Sequence, residues 1–175
     1  MTAAVPTVHA NAVLVGADGV LIRGRPGAGK SALARALIAA AAAEGRFARL
    51  VADDRVALSV HGGRLVARPP AALAGLAERR GRGIEATKHE GAAVVRLVVD
   101  LVAAEEAERM PAPAALRTEI LGVALPRQPV ACGAAEAAGL VLAALAAAVA
   151  ARAADQSATA PAPLFACAKG EPSQS

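Results

Sequence analysis

Val20-Leu21-Ile22-Arg23-Gly24-Arg25-Pro26-Gly27-Ala28-Gly29-Lys30-Ser31 runs from an apolar triplet into a glycine-rich turn that closes on Lys-Ser. Positions 24–31 fit the spacing G-x-x-x-x-G-K-[ST] at every fixed place. Glycines let the backbone bend until several N–H groups point at one anion, and a helix beginning at Lys30 adds the positive end of its dipole. Gly24, Arg25, Pro26, Gly27, Ala28, Gly29, Lys30 and Ser31 are therefore expected to cradle the phosphates of a nucleotide. In such a loop the lysine reaches the terminal phosphates and the hydroxyl can hold Mg²⁺.

Outward from the loop, residues 12–15 and 20–22 read as strands around Gly16-Ala17-Asp18-Gly19, whose Asp-Gly pair signals a hairpin turn. Residues 31–44 read as a helix with Leu33, Ala34, Leu37, Ile38 and Ala41 on its apolar face, stopped by Gly45. Residues 48–52 form a short buried strand ending on Asp53-Asp54, and 56–60 with 64–67 flank the turn His61-Gly62-Gly63. After Pro69-Pro70, residues 71–77 read as a short helix and 78–83 as a loop. A strand at 94–101 follows, then helix and loop over 103–117 broken by Pro111 and Pro113. A last strand is expected at 120–125 and a long alanine-rich helix at 134–154. From Asp155 onward Ser, Thr, Pro and Gly predict a disordered tail. The pattern predicts one α/β domain over 1–154, a mixed β-sheet with flanking helices built around the phosphate loop, and a tail over 155–175.

Composition narrows the function classes. The chain has 175 residues, 55% of them hydrophobic, and a mean hydropathy of +0.44, much of it from alanine, which buries little surface. The longest apolar run, 137–151, is shorter than the roughly 20 residues a bilayer requires, so no membrane association is expected. No basic segment followed by an apolar one opens the sequence, so no secretory signal is expected. Cys132 and Cys167 make neither a disulfide framework nor a metal-ligand spacing, and a reducing cytoplasm is the expected location. The net charge is +4, with arginines concentrated between Arg46 and Arg82. Two Phe and no Tyr or Trp leave no platforms for base stacking, so nucleic acid is not an expected partner.

Three further groups could carry chemistry beside the loop. Leu50-Val51-Ala52-Asp53-Asp54 ends a buried strand on two acids; one can hold Mg²⁺ through water and the other can accept a proton from an attacking hydroxyl. Glu78-Arg79-Arg80-Gly81-Arg82-Gly83-Ile84 sets a carboxylate beside closely spaced Gly and Arg, either a metal-and-phosphate clamp or a charged surface turn. His9, His61, His89 and Arg109 are, taken singly, ordinary surface residues.

In this order, Val8-His9-Ala10, the loop, Leu50-Val51-Ala52-Asp53-Asp54-Arg55-Val56 and Glu78-x-Arg80-Gly81-x-Gly83-Ile84 resemble the catalytic domain of the bacterial HPr kinase/phosphorylase family. The resemblance covers about residues 8–130 and is similar to short alphaproteobacterial forms that lack a separate N-terminal domain. It implies an ATP- and Mg²⁺-dependent protein-serine kinase acting on the phosphocarrier protein HPr, assembled as a homo-oligomer, a hexamer. It further implies that Lys30 contacts phosphate and that Ser31 and Glu78 hold the metal. Asp54, with Asp53 beside it, would be the general base, and His9 and Arg109 would stand in the active site. Pro129-Val130-Ala131-Cys132-Gly133-Ala134 lacks the two arginines of the P-V-R-P-G-R segment that the family ties to phosphorolysis, so the forward reaction is the expected one. Two other readings remain open from the residues themselves: a small-molecule P-loop kinase, and a non-catalytic nucleotide-binding regulator.

Overall fold

Strand β1 (Thr7–Val15) pairs with three other strands, and this sharing organises the molecule. A computed structural model describes residues 7–70, 76–79, 83–86 and 88–159. From residue 10 onward β1 pairs antiparallel with β2 (Asp18–Gly24), and over Ala12 to Val15 with β3 (Ala48–Ala52) on its other edge. Its first residues, Thr7 to His9, pair instead with β4 (Arg55–His61), which forms a hairpin with β5 (Arg64–Arg68). A small ribbon, β6 (Leu76–Arg79) with β7 (Gly83–Ala86), comes next. Strand β8 (Ala93–Val102) is shared in the same way as β1: Ala93 and Val94 pair with β5, and the rest runs parallel to β2 on one side and β10 (Val123–Ala131) on the other. Strand β9 (Arg117–Ile120) folds antiparallel onto β10. The α/β mixed sheet with flanking helices expected from the sequence is the fold observed.

Side-chain alternation sorts the strands into two cores. Val13, Val15, Val20, Ile22, Leu97 and Val99 face α1 (Lys30–Ala43) and α2 (Ala137–Thr159). Ala10, Ala12, Leu21 and Val98 face the β4–β5 layer with Val56, Leu58 and Leu65. Each fully buried Leu, such as Leu37 or Leu145, contributes about 1.5–3 kcal/mol by leaving water. The parity switches once in β8. Gly19 pairs with Val95 but Val20 pairs with Leu97, so Arg96 is an extra residue in a bulge, and Val95 falls into the second core. Gly19 is required here, because a Cβ would lie 2.7 Å from the carbonyl oxygen of Val94.

Several local expectations change. The first hairpin turns at Gly16-Ala17, with Gly16 at φ 62, while Asp18 and Gly19 already belong to β2. Of the expected helix at 71–77, residues 71–75 lie outside the described residues, and Leu76 and Ala77 are strand; apolar composition alone could not separate the two over so short a run. The single strand expected at 120–125 is cut by a turn at Leu121 (φ 51) and Gly122 (φ 75), so β9 and β10 form a hairpin. Helix α2 begins at Ala137 and continues to Thr159, past the expected start of the tail. By length and composition Ala137–Asp155, with a mean hydropathy of 1.9, is apolar enough to cross a membrane, unlike the shorter run seen in the sequence. Val141, Leu142 and Leu145 pack one face of α2 into the first core, while most of the segment lies outside it.

A charged network ties the sheet to its connections. Arg23 on β2 donates to both oxygens of Asp100 on β8, Nε at 2.7 Å and Nη2 at 2.8 Å. Arg127 on β10 donates to Asp100 Oδ2 and, 2.8 Å away, to the carbonyl of Ala115 in the 3-10 turn Pro113–Leu116. Burial pushes the Asp100 carboxyl up, but hydrogen bonds and charge from Arg23 and Arg127 outweigh it and hold it below the usual carboxylate range. The unfolded chain therefore takes up this proton first as pH falls. The network's contribution is complete above about pH 4, the unfolded value, and is lost as pH drops through the depressed one. Asp100→Asn is expected to destabilise the fold by about 2 kcal/mol near neutral pH, by leaving two half-buried guanidinium groups short of a counter-charge. Urea unfolding of both proteins at pH 7 and pH 3 checks this: the gap should narrow in acid.

Candidate active site

All the chemistry-bearing segments meet at one end of the sheet. Strands β2, β8 and β10 run parallel, β3 runs alongside them on the far edge of β1, and ligands of open α/β sheets bind outside such carboxyl ends. The loop follows β2, Asp53-Asp54 follows β3, and His9 lies near the start of the antiparallel β1, at that same end. A cavity of about 490 Å³ opens there, lined by His9, Pro26, Gly27, Gly29, Lys30, Ser31, Ala32, Arg35, Asp53 and Asp54.

The loop is built for close approach. At Gly24 a Cβ would lie 2.9 Å from the Leu101 side chain, so only glycine fits where the loop leaves the sheet. Gly29, at φ 97, opens α1 without a side-chain cap, and no acid stands in the first helical turn. The helix start is thus left to an anion. Lys30 falls on the buried stripe of α1 with Leu33, Ala34, Leu37 and Ala41, and is 5% exposed. Its Nζ lies 3.2 Å from the carbonyls of Gly24 and Arg25 and 2.8 Å from His9 Nε2.

That contact fixes the histidine. An ammonium only donates, so Nε2 accepts from Lys30 and Nδ1–H faces Asp54 Oδ1 at 3.0 Å. Asp54 itself sits in a tight turn at φ 63, closed by Arg55 N–H donating to the Asp53 carbonyl at 2.7 Å. A left-handed non-glycine costs about 1–3 kcal/mol and persists where its surroundings demand it. Here it carries the Asp54 carboxylate to the cavity, 61% exposed and held by His9.

The neighbouring acid is engaged differently. Ser31 Oγ donates to Asp53 Oδ1 at 2.9 Å, and the buried amide of Asn11 donates to both Ser31 Oγ and Asp53 Oδ1. Ser31 and Asp53 are hard oxygen donors side by side, the set that suits Mg²⁺. Among the described residues no group of three or more His, Cys, Asp and Glu could by itself hold a metal.

A family model for the HPr serine kinase C-terminal domain matches residues 2–162. The chain belongs to this family. No curated protein matches it. Among solved structures, the Hpr(Ser) kinase/phosphatase from Coxiella burnetii is similar, with a TM-score of 0.67 and 24% identity, covering 88% of this chain and 96% of that one. At that identity the likeness concerns the fold.

Within this HPr serine kinase domain, His9, Lys30, Ser31, Asp53, Asp54 and loop residues Pro26, Gly27 and Gly29 come together around the cavity. Arg109 does not line it; that arginine is exposed between the two 3-10 turns Ala104–Glu106 and Pro113–Leu116. Glu78 falls in β6, opposite Ile84 of β7, and its side chain, like Arg80, Gly81 and Arg82, lies outside the described residues. His61 bonds to Ser59 on the β4–β5 hairpin, and His89 bridges to Leu50 of β3; neither lines the cavity. Two site residues escape a reading of the sequence. Arg35 follows Ser31 by four residues and so shares its helix face, a spacing that could have found it. Asn11 gives a fainter signal, one amide inside an apolar strand.

Proposed function

We propose that this chain is a Mg-ATP-dependent serine kinase that phosphorylates the phosphocarrier protein HPr in a regulatory phosphotransferase system. The observation that carries the reading is the line Lys30–His9–Asp54, with contacts of 2.8 and 3.0 Å, joining the phosphate loop to an exposed carboxylate at the cavity mouth. Lys30 and the loop amides would hold the terminal phosphate of ATP, and Arg35, which has no ion pair among the described residues, lends positive charge to the same wall. Ser31 and Asp53 would hold Mg²⁺, and Glu78 is a further candidate ligand from the family motif. When bound, the metal offsets negative charge on the phosphates. Asp54 would take the proton from the acceptor serine hydroxyl. His9 orients that carboxylate by donating from Nδ1, while Lys30 holds the imidazole in the tautomer that allows it. Arg109, outside the cavity lining, would join the site through a movement of its segment toward it.

The test is direct. Incubation with Mg-ATP and HPr should give phosphoserine on HPr, and bound ATP with no phosphoserine would overturn the reading. Adding inorganic phosphate to the product should regenerate little free HPr. Val130 of β10 lies in the core, and from it the sequence runs on as Ala131 and Cys132, with no arginine there to hold a second phosphate. The expected localisation is the cytoplasm, with the chain working as a homo-oligomer.

A further inference from the structure

We propose that Asn11 is a positioning residue that aims the metal-holding oxygens of the site. The inference rests on reading Ser31 and Asp53 as the place for a nucleotide-bound divalent cation. Asn11 is wholly buried on β1 between Ala10 and Ala12, in a stretch whose other interior residues are apolar. Both of its N–H donors are spent in the site, one 3.2 Å from Ser31 Oγ and one on Asp53 Oδ1. Its orientation is set by charge, because a carboxylate only accepts and would repel the amide oxygen.

Consider what this does to Ser31. A hydroxyl has one proton and two lone pairs. The proton goes to Asp53 Oδ1 at 2.9 Å, and one lone pair takes the Asn11 N–H. The remaining lone pair is the only one left for a cation, and its direction is fixed before any cation arrives. Without Asn11 the hydroxyl could rotate, and Asp53 would lose one of the donors holding its oxygen in place.

The arrangement has a cost that a purely structural residue would not carry. Asn11 Oδ1 is buried with no hydrogen-bond partner among the described residues. An unpaired buried acceptor destabilises a fold, so packing alone would favour an apolar side chain here. Metal affinity and stability should therefore respond to its replacement in opposite senses.

Asn11→Leu keeps the approximate shape and removes both donors and the orphan acceptor. The readout is Mn²⁺ binding to the full chain with ADP, followed by electron paramagnetic resonance, with no acceptor protein present. The Mn²⁺ Kd is expected to rise about tenfold, as for other residues that orient a metal ligand. Metal-free ADP, held by Lys30 and the loop, should bind within about twofold of wild type, and the Tm should stay level or rise. An unchanged Mn²⁺ Kd overturns the proposal. So does a fall in Tm accompanied by equal losses of Mn²⁺ and metal-free ADP binding, the signature of a structural role. Should Asn11→Leu fail to fold, Asn11→Thr decides: one hydroxyl donor should give an intermediate Kd, and a wild-type Kd overturns the proposal. A wild-type chain that binds Mn-ADP in this Asn11-dependent way yet leaves HPr unmodified would overturn the kinase reading and support this one. A chain that binds no Mn-ADP would overturn both.

Discussion

Lys30→Met is expected to lower phosphoryl transfer to HPr by about a thousand-fold or more. Methionine keeps an unbranched stem of similar length in a slot that leaves lysine 5% exposed, so the stripe of α1 that packs on the sheet is preserved. What disappears is the ammonium. Its three contacts, to the Gly24 and Arg25 carbonyls and His9 Nε2, use all three of its donors in the free protein. The two carbonyl contacts are long, and an incoming phosphate can compete for them with full charge. Arginine is not expected to rescue, because a planar fork cannot enter a cradle shaped around a point charge. Single-turnover phosphorylation, with Tm as a folding control, checks both. Activity within tenfold of wild type in Lys30→Met would remove the lysine from the proposed mechanism.

Asp54→Asn is expected to reduce kcat by about 10²- to 10⁴-fold while Mg-ATP binding is retained. The substitution is conformationally mild, since asparagine tolerates φ 63 as readily as aspartate. The amide oxygen can still accept from His9 Nδ1, 3.0 Å away, so the histidine keeps its place. Only the ability to take a proton is lost. Asp53→Asn should behave differently, because Asp53 Oδ1 accepts from Ser31 and Asn11 and faces the metal-holding side. Weaker metal dependence of nucleotide binding is expected there, before any change in the proton-transfer step. If the two variants exchange these signatures, the roles of the adjacent acids are reversed.

The adjacency of those acids shows where sequence reading stops. Their presence at a strand end was legible from Leu50 to Asp54, but their division of labour depends on a left-handed Asp54, which no local pattern announces, and a buried Asn11, marked only by one amide in an apolar strand. The β2–loop–α1 unit was legible because glycine chemistry, periodicity and charge all agree over a dozen residues. The turn at Gly62-Gly63 was legible for the same reason, both glycines adopting positive φ. The turn at Leu121-Gly122 was not, because leucine at φ 51 gives no turn signal and the surrounding apolar residues read as one strand. The division of β1 and β8 between two layers was also hidden, since each half of a strand chooses partners far away in the chain. Arg109 shows the converse: a family motif can suggest a residue by order along the chain while the fold leaves it outside the cavity.

The shared strand β1 has an evolutionary consequence. His9 and Asn11 lie on the same side as Val13 and Val15, and Ala10 and Ala12 on the other. A single inserted or deleted residue just before Val13 would swap the two sets, burying a histidine among Leu21 and Val98 and offering the loop only methyl groups. Length variation should therefore accumulate at the Gly62-Gly63 turn, which does not line the cavity, and be purged from β1. The least distinctive stretch of the chain in composition is the one whose spacing descendants have least freedom to change.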